Sequence, residues 1–402
     1  MRLQTYGLFL LPIAASTLSA SVCAQEQPDP SELKIIMARN VLHDSNFFRL
    51  PSAGNSPAVS GRGDASETLY TTTLGLRATK SFSLQRWELG YNLVDHHFSH
   101  FDELDFLAKN YSASWHWAIT PRFTGTLASR RELTLNSFAD VQSPSTNNRR
   151  DARSTEWDGV YDLGGAWRLT AGLGRTSTRN QQQLVGEDDS EMNSRDAGVR
   201  YVMRSGSTLS YEYRNSDGEY LNRSPSVTTT SDNRFRQQEH HFGFLWKFSE
   251  KTTATTDVAW IRRSQPNFAQ RDFSGLTGQL LLSWNPTAKV RWNASYKRGL
   301  SSYQTASTNY SESDSLSVGP IWQVSEKVSV RADHNVSWRE FIDITGGSNR
   351  RDIARTTSLA LTWRPQSYLT LSASVQRADR ASNVPGVDYR SHMGNLSVQF
   401  AL

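Results

Sequence analysis

Several things that a chain of 402 residues usually carries are scarce here. There is a single cysteine, Cys23, so no internal disulfide framework can hold the fold together. Beyond residue 24 no stretch approaches the roughly 18 consecutive apolar residues of a membrane-crossing helix, which excludes a helical membrane bundle. Apolar residues make up only 37% of the chain, little for a soluble protein long enough to build two or three domain cores. Charge of one sign is scarce as well. The 44 Lys and Arg nearly balance 39 Asp and Glu, and the net +5 is spread along the sequence. A nucleic-acid binder would show a clustered basic stripe instead. Catalytic signatures are also missing: there is no Gly-x-Ser-x-Gly elbow, no His-Glu-x-x-His pair and no phosphate loop. What the chain does have is aromatic residues, 17 Phe, 14 Tyr and 12 Trp, in numbers that disordered chains lack.

The N-terminus reads as an export address. Arg2 precedes an apolar stretch from Tyr6 to Leu18, and small residues follow up to Val22-Cys23-Ala24. This pattern predicts a signal peptide over 1–24, cleaved before Gln25, and so a mature chain without cysteine. Val22 is a poor residue to precede a lipidated cysteine, so a lipoprotein anchor is disfavoured. Residues 25–32 are read as a short periplasmic leader, and 33–402 as one domain.

That domain is organised by a repeat. Tight-turn candidates centre near Ser81, Pro121, Gly164, Gly206, Glu250, Pro286, Glu326 and Pro365, roughly forty residues apart. Between them lie longer polar segments such as 52–65, 139–152, 181–191 and 218–233. Every hairpin is thus short at one end and long at the other, as in outer-membrane barrels with short periplasmic turns. The intervening segments alternate with period two. Val290, Trp292, Ala294 and Tyr296 share one face, while Arg291, Asn293, Ser295 and Lys297 share the other. Leu369, Leu371, Ala373 and Val375 oppose Thr370, Ser372, Ser374 and Gln376 in the same way.

A soluble sandwich also alternates, but its strands run about 5 to 6 residues between closely spaced turns. Here the segments are long enough for the roughly 9 to 11 tilted residues that cross a bilayer. Trp167, Trp246, Phe248, Trp284, Trp322 and Trp363 gather near the turns, as rings at a lipid–water boundary do. The expected fold is therefore all-β: a transmembrane, antiparallel, up-and-down β-barrel of about 18 strands. Its strands run from 33–43 to 389–402, and sixteen is the alternative count. The chain closes on Leu396, Val398, Phe400 and Leu402 in alternation, resembling the terminal strand by which such barrels are inserted, with Leu in place of the commoner terminal aromatic.

Three blocks carry a family likeness: Asp44-Ser45-Asn46-Phe47-Phe48-Arg49-Leu50-Pro51, Leu89-Gly90-Tyr91-Asn92-Leu93-Val94-Asp95 and Leu135-Asn136-Ser137-Phe138-Ala139-Asp140. They resemble the EpsL family, outer-membrane barrels associated with exopolysaccharide gene clusters of Gram-negative bacteria. His96-His97 follow the second block where the family has aromatic residues. The resemblance implies a passive channel taking part in exopolysaccharide export, with a polysaccharide chain as cargo and energy from periplasmic and inner-membrane machinery. It brings no catalytic residues with it.

Alternation aims Glu88, Asn92, Asp158, Arg168, Arg200, Glu212, Arg214, Lys247, Asp257, Lys289, Arg291, Lys297, Arg331, Asp333 and Arg339 into the lumen. So many charges require a hydrated interior, where Arg and Lys would attract acidic groups on a solute. Tyr220, Phe268 and Tyr303 are candidate stacking platforms for sugar rings. His96 and His100 lie about 13 Å apart on a strand, too far to share a metal. Asp95 and His96 point to opposite faces and cannot cooperate as a hydrolytic pair. No cofactor, metal or nucleic acid is expected, and the chain is not expected to be an enzyme. Outer-membrane lipid is the expected surrounding, and the oligomeric state stays open. Three other readings remain beside export: a general or sugar-specific uptake porin, a structural or adhesive barrel, and an outer-membrane hydrolase. An uptake porin would be marked by a loop folded into the lumen, with 139–152 and 218–233 as candidates.

Overall fold

The computed structural model describes residues 31–51, 65–139, 149–181, 189–227, 232–303, 308–344 and 346–402. The signal segment and most of the leader therefore lie outside the described residues, and the first strand already begins at Ser31. Eighteen strands follow one another: β1 (Ser31–Asp44), β2 (Glu67–Phe82), β3 (Gln85–Phe98), β4 (Phe106–Thr120), β5 (Phe123–Leu135) and β6 (Arg149–Gly164). Next come β7 (Trp167–Asn180), β8 (Ser190–Val202), β9 (Thr208–Tyr220), β10 (Arg234–Ser249), β11 (Thr252–Ser264) and β12 (Phe273–Thr287). The series ends with β13 (Val290–Ser302), β14 (Thr308–Gln323), β15 (Val328–Asp343), β16 (Ser348–Gln366), β17 (Leu369–Ser382) and β18 (Tyr389–Ala401). Among the described residues no helix is long and apolar enough to cross a membrane.

Each strand pairs antiparallel with its sequence neighbours, and β1 pairs with both β2 and β18, so the sheet closes on itself. The closure reaches the last residue. The amide of Ile35 donates to the carbonyl of Leu402 at 2.7 Å, and that of Leu402 returns a bond to Ile35 at 2.9 Å. Closure leaves no unpaired edge, the condition for a sheet to survive in lipid, where stray backbone groups find no water.

At the end of the barrel where β1 begins and β18 ends, every connection is short, two to five residues. At one of them Gly164 and Gly165 take φ of +93° and +66°, a left-handed pair that a side chain would strain, while the Asp162 carboxylate accepts from the Gly164 amide at 2.8 Å. Two register shifts fall at the opposite end, in β14–β15 and β15–β16, and five at this same rim, in the β4–β5, β6–β7, β10–β11, β12–β13 and β16–β17 hairpins. Bulges there re-aim the strand ends without disturbing the long ladder above.

The register fixes two faces. Leu33, Ile35 and Met37 lie opposite Ala78, Leu76 and Leu74, and the series continues around the wall through Leu89, Leu173, Leu280, Leu359, Val375 and Leu396. These apolar side chains are exposed: Leu173 at 59%, Val375 at 61% and Leu396 at 63%. A continuous exposed apolar belt of this kind is not tolerated in water, so it faces lipid. Trp167, Trp246, Trp284, Trp322 and Trp363 stand on the same face at the short-turn rim and are also exposed. The stacked pair Trp87–Trp115, with centroids 4.9 Å apart, joins them. The opposite face, turned into the bore, carries the polar residues of every strand.

The apolar core proper sits in neither wall. It consists of Phe47, Phe48, Leu50, Leu69, Phe98, Phe101, Leu104, Phe106, Ala108 and Phe138, at the long-loop end of the barrel. Leu69, Phe98, Phe106 and Ala108 are on bore-facing positions, so this cluster fills part of the mouth from within.

Candidate lumen and outer mouth

The cross-strand register places Glu88 and Asn92 of β3, Asp158 of β6, Arg168 of β7 and Arg200 of β8 on the face away from lipid. Glu212 and Arg214 of β9, Lys247 of β10, Asp257 of β11, Arg291 and Lys297 of β13, and Arg331, Asp333 and Arg339 of β15 share that face. Lys289 is the correction. It lies in the β12–β13 turn, before β13 begins at Val290, where the Thr287 hydroxyl accepts from the amides of Lys289 and Val290 at 3.3 and 3.1 Å.

In the middle of the wall several of these groups are joined. Arg214 faces Glu239 and Asp196 across its two ladders and donates to Glu212 at 2.8 Å. His241 stands between two carboxylates, with Nε2 2.7 Å from Glu239 and Nδ1 3.1 Å from Asp257. Gln237 donates to Glu239 at 2.7 Å and accepts from Arg263 at 2.8 Å, and Arg263 donates on to the Tyr220 hydroxyl at 3.2 Å. The chain of polar contacts runs up the wall from Asp257 to the mouth. Neutral hydroxyls dominate elsewhere: Ser311, Ser313, Ser315 and Ser317 of β14, and Thr370, Ser372 and Ser374 of β17, face the same bore. Sequence reading left out Glu239 and His241; the Gln237-Gln238-Glu239 run masks the alternation there.

The histidines separate. His96 turns into the bore and stacks on Phe106, His97 faces out beside Asp105 at 2.6 Å, and His100 sits in the following loop near Glu67. Among the described residues no group of His, Cys, Asp and Glu is placed to hold a metal ion.

The mouth is built by loop segments folded inward. Phe47 packs on Phe98 and Phe138 at 5.5 and 5.3 Å, and Phe48 packs on Phe101 and Phe138 at 4.6 and 4.9 Å. Two buried carboxylates hold the segments in place. Asp44 accepts from Arg49 at 2.7 Å, from the Asn46 amide at 2.9 Å and from the Ser391 hydroxyl at 2.5 Å. Glu67, 1% exposed, accepts from the amides of Thr68, Ser99, His100 and Phe101. Two of the three family-like blocks thus meet in one cluster, and Val94 of the third packs against it.

Across the bore, the Arg380 guanidinium of β17 donates to the carbonyl of Ala139, in the segment after β5. Five strands of wall separate the two along the shorter way round, so the segment after β5 reaches over the mouth as far as β17. Arg380 also donates to the Val387 carbonyl at 2.7 Å and lies beside Asp352, itself paired with Arg350 at 2.6 Å. Arg339 and Arg350 both stack on the Phe341 ring at 4.5 Å. Arg271, fully buried, donates to the Thr308 carbonyl at 2.8 Å, and burial lowers its affinity for a proton. Burial, with Arg271 close by, pulls Arg223 down to about 10, and its guanidinium covers the Tyr220 ring at 4.2 Å.

Tyr220 and Phe268 are therefore not open platforms for sugars. Both are buried, at 6% and 9%, and Tyr303 is engaged edge-on with Phe341 at 4.9 Å. Of the two segments expected to narrow the bore, 139–152 contributes Ala139, while residues 140–148 lie outside the described residues. The segment 218–233 contributes Tyr220 and Asp232, and 228–231 are likewise outside them. Residues 45–51, part of the first family-like block, and 99–105 fill the mouth, although neither was expected to narrow the bore.

With this geometry in hand, the comparisons are specific. A family model described as "Putative beta-barrel porin 2" matches residues 236–402, from β10 to the end. Solved barrels superpose on nearly the whole chain. The chain has the fold of a porin-like outer-membrane β-barrel. Pseudomonas aeruginosa OpdQ aligns over 93% of this chain and 99% of its own, with a TM-score of 0.52 and 11% identity. P. aeruginosa OccK2 (OpdF) in complex with glucuronate aligns over 92% and 98%, with a TM-score of 0.51 and 10% identity. P. aeruginosa OpdK with vanillate gives 92% and 98%, a TM-score of 0.51 and 10% identity. At such identities the likeness is one of fold. No curated protein sequence matches the chain. The rim with the short turns and both termini is then periplasmic, and the aromatic mouth opens outside.

Proposed function

We propose that this porin-like barrel admits small acidic solutes from outside the cell. The observation that carries the reading is the crossed mouth: inward-folded segments 45–51 and 99–105 and the Arg380–Ala139 bond divide the opening. A divided opening suits small solutes better than a polymer threading through. The chemistry of the bore agrees. Arg168, Arg200, Arg291 and Arg331 line the wall below a mouth that holds Arg263, Arg339, Arg350 and Arg380. A guanidinium offers a planar fork that matches a carboxylate. The ligands in the OccK2 and OpdK structures, glucuronate and vanillate, both carry one carboxylate.

Planar-bilayer recording tests this. In a KCl gradient the reversal potential is expected to show chloride preference, and an Arg200→Gln/Arg291→Gln variant to shift it toward potassium. Small carboxylates are expected to block the current, and their methyl esters not to. Equal block by acid and ester would sink the reading.

Export of an exopolysaccharide is the second reading, favoured by the meeting of the family-like blocks around Phe47, Phe48 and Phe138. It predicts that deleting the gene lowers secreted polysaccharide while leaving growth on acidic solutes unchanged.

A further inference from the structure

The lipid-facing side changes character above the apolar belt. On β5 the outward series runs Leu127, Ser129, Arg131, and on β7 it runs Leu169, Ala171, Leu173, Arg175. On β17 Leu371, Ala373 and Val375 are followed by Arg377. Arginines thus mark the outer edge of the belt on β5, β6, β7, β13, β16 and β17, a partial girdle. The periplasmic edge of the same face carries tryptophans instead. An asymmetric barrel surface implies an asymmetric bilayer around it.

The arginines are seated in a repeated way. Arg131 and Arg153 are direct cross-strand partners, a juxtaposition that would repel were Asp151 not between them, at 2.8 and 3.0 Å. The carboxylate is 18% exposed and the Arg153 side chain 55%. Arg175 sits on Glu191, Arg298 on Glu312 and Asp314, and Arg355 and Arg377 flank Asp379. At Arg153, Arg175, Arg355 and Arg377 the guanidinium side chain is more than half exposed and its carboxylate a quarter or less, whereas Arg298 and its two acids are about equally covered. The acid orients the fork without covering it, since a guanidinium has five N–H donors and Arg153 spends those of Nε and Nη2 on Asp151.

Such a surface fits a phosphate. Guanidinium binds phosphate in bidentate fashion, and arginine is the residue for which planar geometry as well as charge is used. Charged side chains on a lipid face are tolerated where the belt gives way to headgroups, and at that height the ligand at hand is the headgroup itself. We propose that the arginine girdle docks the phosphate groups of the phosphorylated glycolipid that forms the outer leaflet. This is independent of which solute passes through the bore.

The test uses the full-length barrel in detergent, with bisphosphorylated lipid A and fully dephosphorylated lipid A as probes, read by native mass spectrometry. The wild-type protein should retain the bisphosphorylated lipid at least tenfold more tightly than the dephosphorylated one. The variant R153Q/R175Q/R377Q should lose that preference while its single-channel conductance stays unchanged, because none of the three faces the bore. The variant R153K/R175K/R377K, which keeps the charge and loses the fork, should fall between the two. Equal retention of both lipids by the wild-type protein would overturn the proposal whatever the variants do, as would a glutamine variant that binds like wild type.

Discussion

Glu67 shows how one side chain can set the form of the mouth. It begins β2 at the long-loop rim, yet its carboxylate is turned inward and receives backbone amides from the 99–101 turn. Removing an acceptor from buried amides costs about 1–3 kcal/mol for each group left without a partner. The variant Glu67→Ala is therefore expected to free the 99–105 segment while the eighteen-stranded wall stays closed. Limited proteolysis checks this: cleavage should appear between residues 99 and 105 in the variant and be slower by an order of magnitude in the wild-type protein. Nothing in the alternation announces this role, because the turn that Glu67 serves has no period. A signal was nevertheless present. Phe47-Phe48 and Phe98, Phe101 and Leu104 place bulky apolar groups where loops begin, and exposed loop tips rarely carry such pairs. Reading Tyr220 and Phe268 as sugar platforms missed the same point, that a ring near the mouth is first of all packing material.

At the scale of the strand the sequence was nearly transparent. Period two, interrupted at regular turns, reports both faces at once, since a slip of one residue would turn every leucine of a strand into the bore. The penalty for a wrong residue should then depend on depth. Leu359 of β16 lies in the middle of the belt, midway between Trp363 and Arg355, while Ile353 of the same strand and face stands between Arg351 and Arg355. Arginine at mid-membrane costs about 2–4 kcal/mol, falling to about 0–1 kcal/mol near the interface. Leu359→Arg is expected to lower stability by that larger amount and Ile353→Arg by the smaller, measured by reversible denaturant unfolding in lipid vesicles. What period two did not disclose was where a ladder stops. Lys289 continues the alternation of β13 on paper, but the Thr287 hydroxyl caps the turn and Lys289 belongs to it.

For the whole molecule the decisive contacts are those that span the bore, and no local pattern encodes them. Arg380 and Ala139 are 241 residues apart in sequence, Tyr220 and Ser302 are 82, and each pair bridges strands that do not touch. If the Arg380–Ala139 bond divides the opening, Arg380→Ala should widen it. Single-channel conductance is expected to rise, roughly twofold, with heat-modifiable migration on gels unchanged. No rise would mean that the passage lies to one side of this strap. The reading of the bore as a charged, hydrated channel came from the wall alone, whereas its narrowing rests on segments whose composition looked merely polar.

The seam between β1 and β18 has a consequence in time. The first described strand is completed only by the last one, through bonds between Ile35 and Leu402. A ladder that joins the two ends of a chain is slow to find, because the entropy of closing so long a loop comes due before the contact rewards it. The sheet cannot close until β18, the last strand in the ladder, is in place beside β1. Until then it keeps two open edges, one on β1 and one on the strand most recently added, and these must be kept from pairing elsewhere.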